Sequence, residues 1–511
     1  MDIRVIGLDI GTTGSRAVVF DPLGRVLASA SCNYPLLVPH PGYGEQEPEA
    51  IVGAVVCALR DAVRRAGLGP RDVAAIGVSA VMHSMIAVDR EGQPLTNAWT
   101  WVDTRAAAQA TEIKREHDAA AYYARTGCPV HAMYTPAKVA YVRETMPDIF
   151  ARTDRFVTIK EYVLTRLYGA RVVDYGIASG SGCLDMKAKD WDAEALAMAG
   201  IARDRLSELT EPTTLIRGLQ SEFAAEIGIS PDVPLAVGSS DGTLSSLGSG
   251  AVAPGQMTAM IGTSGAVRAI TTHPVVDPRS RTWCYYLADN RWVPGAAINN
   301  GGIVYRWLRD DLLKVPEAER ETAYVELDQA AAKVPPGSNG LIFLPFLAGE
   351  RAPYWNADAR GALFGLSLGH GQAHVVRATL EGVAYRMFSI FDALRELAGT
   401  PHEVRAAGGF TKSPLWLQIL ADVFGVRLRV PAVAEASAFG AAFLALMGLG
   451  YYKSIDDMRP LVQIQAETEP NPLRHERYAR LFDVYMRLYW HLQEQFTEIA
   501  SLQREEATKG G

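Results

Sequence analysis

Two short turns of like composition, Gly11-Thr12-Thr13-Gly14 and Gly262-Thr263-Ser264-Gly265, each lie between β-type runs and stand in opposite halves of the chain. A strand–turn–strand unit used twice, early in each half, predicts two α/β domains of similar build. The turns also predict chemistry. Glycine takes φ > 0 without strain and leaves backbone N–H groups accessible, while threonine and serine add hydroxyl donors, so each turn is suited to cradling a phosphate. In GLDIGTTGSRAVVFD, Gly7 to Asp21, the strand ahead of the first turn carries Asp9. A carboxylate there suits hydrated Mg²⁺, which takes one or two carboxylates together with phosphate oxygens. A plain glycine hairpin would account for either turn alone; the second copy argues against it.

The chain has 511 residues, 48% hydrophobic and 21% charged, which is length and composition for two or three globular domains. Its formal net charge of −7 supplies no overall basic field, which argues against nucleic acid and for a small ligand whose anionic groups are met locally. The five cysteines, Cys32, Cys57, Cys128, Cys183 and Cys284, are scattered and follow no C-x-x-C or zinc spacing, so reduced thiols and a cytoplasmic location are expected. Residues 1–10 read as a strand and not as a signal peptide. The longest uncharged stretch, Ala436 to Tyr452, is glycine-interrupted and shorter than the roughly 20 residues of a membrane span, which predicts a buried core helix and no membrane association.

Residues 238–256, GSSDGTLSSLGSGAVAPGQ, are dense in glycine and serine and mark a domain junction near residue 245. The expected division is 1–245, 246–455 and a helical tail over 456–511. Asp241 falls in the junction, where a carboxylate could take the proton of an attacking hydroxyl; a turn-stabilising aspartate is the plain alternative. A third glycine site, Ala406-Ala407-Gly408-Gly409-Phe410-Thr411-Lys412-Ser413-Pro414, ends a strand and opens a helix, with Ser413 as N-cap and Pro414 at the first helical position. No G-x-x-x-x-G-K-[ST] and no G-x-G-x-x-G after a strand occurs, so neither a P-loop nor a dinucleotide fold is expected. Gly238-Ser239-Ser240-Asp241-Gly242 formally satisfies G-x-S-x-G, which keeps a serine hydrolase using Ser240 as a remote alternative; it would need a later aspartate and histidine, and none of His370, His374 and His402 sits in a distinctive context. An ATP-binding chaperone-like protein would keep both phosphate turns but needs no acceptor wall.

The ordered set GLDIGTTGSRAVVFD, GYGEQEP, VMHS, WVDTRA, GSSDG, MIGTSG, FLAGERAPYWNADARGALFGL and AAGGFTKSPLWLQILADVFG resembles the FGGY carbohydrate kinases from residue 5 to about 450. That resemblance implies a two-domain actin- and hexokinase-like (ribonuclease H-like) α/β fold with the active site in an interdomain cleft that closes over the substrate. It implies MgATP as donor and a sugar or polyol as acceptor, with a homodimer as a further expected assembly. Matched position by position, Asp9 and Asp241 would hold Mg²⁺ and Asp241 would be the catalytic base. Thr12, Thr13, Gly14 and Arg16 match the first phosphate turn, and Gly262 and Thr263 the second. Gly302 and Arg306, beyond the second turn, are expected to bind the nucleotide as well, and Gly409 and Ser413 match the adenosine site. Met82, His83, Asp103, Arg105, Lys138 and Asn299 match the substrate wall. Met82-His83-Ser84 stands where xylulokinases often carry Met-His-Gly. Segments such as GCPVHAM and INNGG with RWLRD after it look closest to gluconate kinases, which implies D-gluconate as acceptor, with xylulose or another sugar or polyol as alternative. For the gluconate carboxylate, Arg105 offers a bidentate contact, His83 one hydrogen bond and Lys138 a charge.

Overall fold

The computed structural model describes residues 3–433 and 435–509. The chain divides into two compact units: Met1–Ala253 with Ile270–Pro294 and Val433–Gln463, and Pro254–Ala269 with Gly295–Ala432 and Ile464–Gly511.

In the first unit a six-stranded sheet runs in the order Leu215–Ile216, Leu235–Ser240, Val73–Ala80, Arg4–Ile10, Gly14–Phe20, Val26–Asn33. Arg4–Ile10 is antiparallel to Gly14–Phe20 through the first Gly-Thr turn and parallel to Val73–Ala80, which in turn is parallel to Leu235–Ser240. Strand residues alternate between faces. Ile6, Leu8 and Ile10 therefore pack with Ile51, Val55 and Leu59 of helix Pro48–Arg65, while Val5 joins Phe439 and Phe443 of helix Ala436–Gly448 on the other face. That second helix lies directly on the strand backbones: a Cβ on Gly7 would sit 1.9 Å from the Ala438 carbonyl oxygen, and one on Gly77 1.9 Å from that of Ala441. The uncharged stretch is thus a buried core helix, and among the described residues no helix is long and apolar enough to cross a membrane.

The second unit repeats the plan. Gln256–Ile261 and Gly265–Ala269 form an antiparallel hairpin across the second Gly-Thr turn, and Gln256–Ile261 is parallel to Glu403–Ala407. Leu428–Pro431 extends the sheet in parallel, Ile464–Thr468 closes that edge antiparallel, and Gly265–Ala269 pairs on its other side with Gly295–Ile298. Helix Gln372–Ala398 supplies much of the buried surface of this unit.

Three sequence expectations change. The glycine- and serine-rich stretch, expected as a junction near residue 245, ends strand Leu235–Ser240 and forms helix Asp241–Gly248; the first unit runs on to Ala253 and takes back Ile270–Pro294 and Val433–Gln463. The small residues of the stretch permit a close helix crossing, since a Cβ on Gly248 would lie 1.9 Å from the Ala436 carbonyl oxygen and one on Gly440 2.4 Å from that of Leu244. After residue 455 a 3₁₀ turn, Ile455–Leu461, and the strand Ile464–Thr468 precede the helices Pro472–His491 and Gln493–Lys509. Finally, the cysteines are not all thiols. Cys32 on strand Val26–Asn33 and Cys57 on helix Pro48–Arg65 form a disulfide, because that helix packs on the strand; Cys128, Cys183 and Cys284 are free and buried.

Candidate active site

Period-two alternation places Asp9 on the Gly7 side of its strand, beyond the start of helix Ala436–Gly448. The parallel register sets Ser79 opposite Asp9, and Ser79 donates its hydroxyl to Asp9 Oδ1 at 2.6 Å. Burial, together with the nearby charges of Asp241 and Glu435, pushes the Asp9 carboxyl up to about 7 against the opposing pull of Ser79 and Arg16. Arg16 answers Glu435 directly, Nη1 to Oε1 at 2.5 Å. Asp241 opens helix Asp241–Gly248 and accepts the Gly242 N–H on Oδ1 at 2.6 Å. Asp9 is within electrostatic reach of Asp241 and Glu435, and Arg16 offsets part of their charge; the raised Asp9 carboxyl reflects burial first and these neighbouring carboxylates second.

The first turn is held from several sides. Gly11 N–H donates to Gly14 O at 3.0 Å, Tyr34 donates its N–H to Thr13 O at 3.2 Å and its hydroxyl to Gly11 O at 2.6 Å, and the Gln46 amide donates to Thr12 O. Trp101 Nε1 donates to Thr12 Oγ1 at 3.1 Å, tying the WVDTR segment to the turn. Gly14 lies close against the next strand, where a Cβ would be 2.9 Å from the Cys32 carbonyl oxygen.

The predicted substrate wall of the first unit assembles, with two changes of role. His83 has φ of 63°, and its Nδ1 lies 2.9 Å from Gly180 O. Its ring meets Tyr134 edge-on at 5.2 Å, and Tyr134 and Tyr285 share a hydroxyl contact of 3.0 Å. Met82 is buried against Gly180, where a Cβ would be 1.9 Å from the methionine methyl.

Arg105 does not offer an open fork. Its guanidinium binds Asp103 and, at 2.5 Å, Glu45, and lies between the rings of Tyr43 and Trp99 at 3.8 and 4.1 Å. Asp103 is buried and accepts from Arg105 and from Gly44 N–H at 2.9 Å, so both members of the predicted pair are occupied within the protein. Lys138 is buried too. Its ammonium donates to the carbonyls of His83, Thr100 and Trp99 at 2.5, 2.9 and 3.3 Å, and burial, aided by Arg105, pushes it down to about 7. Neither cation projects as a free charge; both hold the loops that shape the wall.

In the second unit, Gly262, Thr263, Gly302, Arg306, Gly409 and Ser413 all line one cavity of about 640 Å³. The second turn locks onto the next helix, with Gly302 N–H donating to Gly262 O at 2.7 Å and Ile303 N–H to Thr263 O at 3.2 Å. Ser413 is the N-cap of helix Pro414–Phe424, its hydroxyl accepting from Trp416 N–H at 3.0 Å. Tyr305, Tyr324 and Trp416 give the same cavity aromatic walls, and Arg306 and Lys412 add exposed cations. Asn299 belongs to this unit and the other five substrate candidates to the first; its N–H donates to Glu350 Oε1 at 2.8 Å, and Glu350 is paired with the fully buried Arg386 at 3.2 Å.

The serine-hydrolase alternative fails on geometry. Ser240 is fully buried and caps helix Asp241–Gly248, its hydroxyl 2.8 Å from Thr243 Oγ1, and His370, His374 and His402 belong to the other unit. Sequence reasoning missed Glu45, Ser79, Trp101, Tyr134, Tyr285 and Glu435. Glu45 and Trp101 lie inside the quoted GYGEQEP and WVDTR segments, but their pairings are tertiary.

Comparison with known proteins agrees with this architecture. Residues 4–248 match the N-terminal domain, and residues 257–449 the C-terminal domain, of the FGGY family of carbohydrate kinases. The chain is 39% identical to a gluconokinase of Bacillus subtilis over 99% of both chains, and 29% identical to a xylulose kinase of the same organism over 98% of this chain and 99% of that one. Among solved structures, a gluconate kinase from Lactobacillus acidophilus superposes with a TM-score of 0.93 at 32% identity, over 98% of this chain and 100% of that one. A xylulose kinase from the same organism gives 0.92 at 32%, over 97% and 100%. Two sheets each headed by a Gly-Thr hairpin, an acidic cluster beside the first turn and a cavity behind the second are thus features of a protein that belongs to the FGGY family of carbohydrate kinases.

Proposed function

We propose that this kinase transfers the γ-phosphoryl group of ATP to D-gluconate, giving 6-phospho-D-gluconate. The observation that carries the acceptor is the gap between 39% identity to a gluconokinase and 29% to a xylulose kinase, both over essentially the whole chain. In this reading the second unit receives the nucleotide in the cavity behind Gly262 and Thr263, with the phosphates toward the turn and Arg306 and Lys412 offsetting their charge. Asp241 takes the proton of the attacking hydroxyl, and Arg16, held by Glu435, supplies positive charge to the first phosphate turn. Asp9 and Asp241 are the residues that would hold Mg²⁺, which when bound supplies charge neutralisation to the phosphates. Carboxylate recognition then falls to the half-buried His83 of the wall, since Arg105 and Lys138 are occupied internally; a hydrogen bond to a charged group contributes about 1.5–3 kcal/mol. We place the reaction in the cytoplasm, where ATP is the donor.

That occupied wall also supports a second reading, in which a neutral sugar such as xylulose is the acceptor. A coupled ADP-release assay over gluconate, xylulose, ribulose and glycerol tests both. The proposal expects kcat/KM for gluconate to exceed the others by at least about tenfold, or roughly 1.4 kcal/mol; a higher value for xylulose establishes the second reading.

A further inference from the structure

We infer that the Cys32–Cys57 disulfide is a reversible redox switch that sets how firmly the first Gly-Thr turn grips the nucleotide phosphates; the inference rests on the ATP half of the function proposed above. The two elements that the disulfide joins both run to that turn. Strand Val26–Asn33 leads into Tyr34, which donates its N–H to Thr13 O at 3.2 Å and its hydroxyl to Gly11 O at 2.6 Å. Helix Pro48–Arg65 follows Gln46, whose amide donates to Thr12 O. The carbonyls of Gly11, Thr12 and Thr13 are thus each held by a residue at the end of one or the other element. At the far end of the same pair, Arg65 Nη1 donates to Ser29 O at 2.7 Å, and the disulfide joins them between that contact and the turn.

The strand depends on such a tie. It is the outer strand of its sheet, among the described residues it pairs only with Gly14–Phe20, and of its side chains only Ala30 is buried. An edge strand so little buried opens locally at low cost, and a covalent bond to a helix packed deep in the core opposes that opening. Cys32 stands opposite Ser15, the residue after the turn, so movement of the strand there reaches the turn directly.

The bond is also placed for exchange. Cys32 and Cys57 are half-buried, whereas Cys128, Cys183 and Cys284 are buried. Asp61 lies within 4.8 Å of both sulfurs, but its carboxylate is shared with Arg60 at 3.3 Å and Arg64 at 3.4 Å, so an incoming thiolate does not meet a bare anion. A dithiol reductant attacks one sulfur as a thiolate, and the S–S bond breaks as a mixed disulfide forms; the reductant's second thiolate then displaces the remaining sulfur. Two electrons and two protons pass to the chain, which ends with two thiols while the reductant ends as a disulfide. Oxidation by a small disulfide runs the same exchange in reverse. In the cytoplasm, where glutathione and dithiol proteins keep thiols reduced, a disulfide is ordinarily transient or redox-sensing.

ATP binding by calorimetry on the full chain tests the switch and needs no acceptor, so an error in the assigned sugar leaves the result readable. The chain treated with glutathione disulfide should bind ATP at least about fivefold more tightly than the chain reduced with dithiothreitol, and reoxidation should restore the tighter value. By linkage, saturating ATP should shift the equilibrium against reduced and oxidised dithiothreitol toward the protein disulfide by the same factor. Cys57→Ser should bind ATP with the reduced affinity in both reagents, and Cys32→Ser serves if that variant does not fold. Equal ATP affinity in wild-type forms with three and five titratable thiols overturns the inference, since a merely stabilising cross-link would shift unfolding and leave the affinity alone. Five thiols after treatment with glutathione disulfide, or a serine variant that still responds to dithiothreitol, also overturns it.

Discussion

Replacing Lys138 by methionine separates its positioning role from substrate contact. Methionine keeps most of the buried stem but removes an ammonium that donates to His83 O at 2.5 Å, Thr100 O at 2.9 Å and Trp99 O at 3.3 Å. Trp99 O and Thr100 O retain donors in the N–H groups of Met85 and Asp103, so the loss falls most heavily on the His83 carbonyl. His83 sits at φ of 63°, a conformation that costs a non-glycine residue roughly 1–3 kcal/mol and persists only where surroundings enforce it. Lys138 on the carbonyl and Gly180 O beside ring Nδ1 are two such restraints. Removing the charged one forfeits about 1.5–3 kcal/mol of hydrogen bonding and lets the His83 backbone relax away from the wall. Stability should change by less than about 2 kcal/mol, because burying methionine avoids the desolvation that drives the lysine down to about 7. Initial-rate kinetics below pH 7, where the wild-type ammonium is charged, should show kcat/KM for gluconate reduced roughly ten- to a hundredfold with KM for ATP unchanged within twofold. Urea unfolding monitors the fold in parallel. A folded variant with wild-type gluconate kinetics would refute the positioning argument.

Asp241→Asn should lower kcat by about 10²–10⁴ while ATP binding by calorimetry stays within a few-fold, since the amide keeps the shape but accepts no proton; near-normal turnover would remove Asp241 from the mechanism. Thiol titration of the denatured, unreduced chain should find three reactive cysteines, rising to five after reduction, and five before reduction would mean that Cys32 and Cys57 are not joined. Asp9 titrates near 7 in the fold against an ordinary 3.8, so between about pH 4 and 7 the native state binds more protons than the unfolded one. Metal-free stability should therefore fall with rising pH across that window by on the order of 1 kcal/mol per unit. Asp9→Asn should flatten the slope; an unchanged slope in urea melts at successive pH values would show that Asp9 is not its source.

Much of the fold was legible because it is written in local chemistry. The Gly-Thr turns, the strand carrying Asp9 and the Ser413 N-cap are short-range hydrogen-bonding and φ/ψ requirements, satisfied within a few residues of themselves. The predicted nucleotide residues of the second unit line one cavity because each lies at the end of such a local element. What the sequence could not decide was which group each charge answers. Arg105 and Lys138 look like ligand cations in one dimension, but Glu45 is brought to Arg105 by strand pairing, and the acceptors of Lys138 are backbone carbonyls, which every residue possesses. Cys32 and Cys57 meet only because helix Pro48–Arg65 packs on strand Val26–Asn33. The serine- and glycine-rich stretch resembles a linker until a second helix crosses it at backbone contact. Burial and charge pairing are properties of neighbours distant in sequence, so residue spacing alone does not determine them.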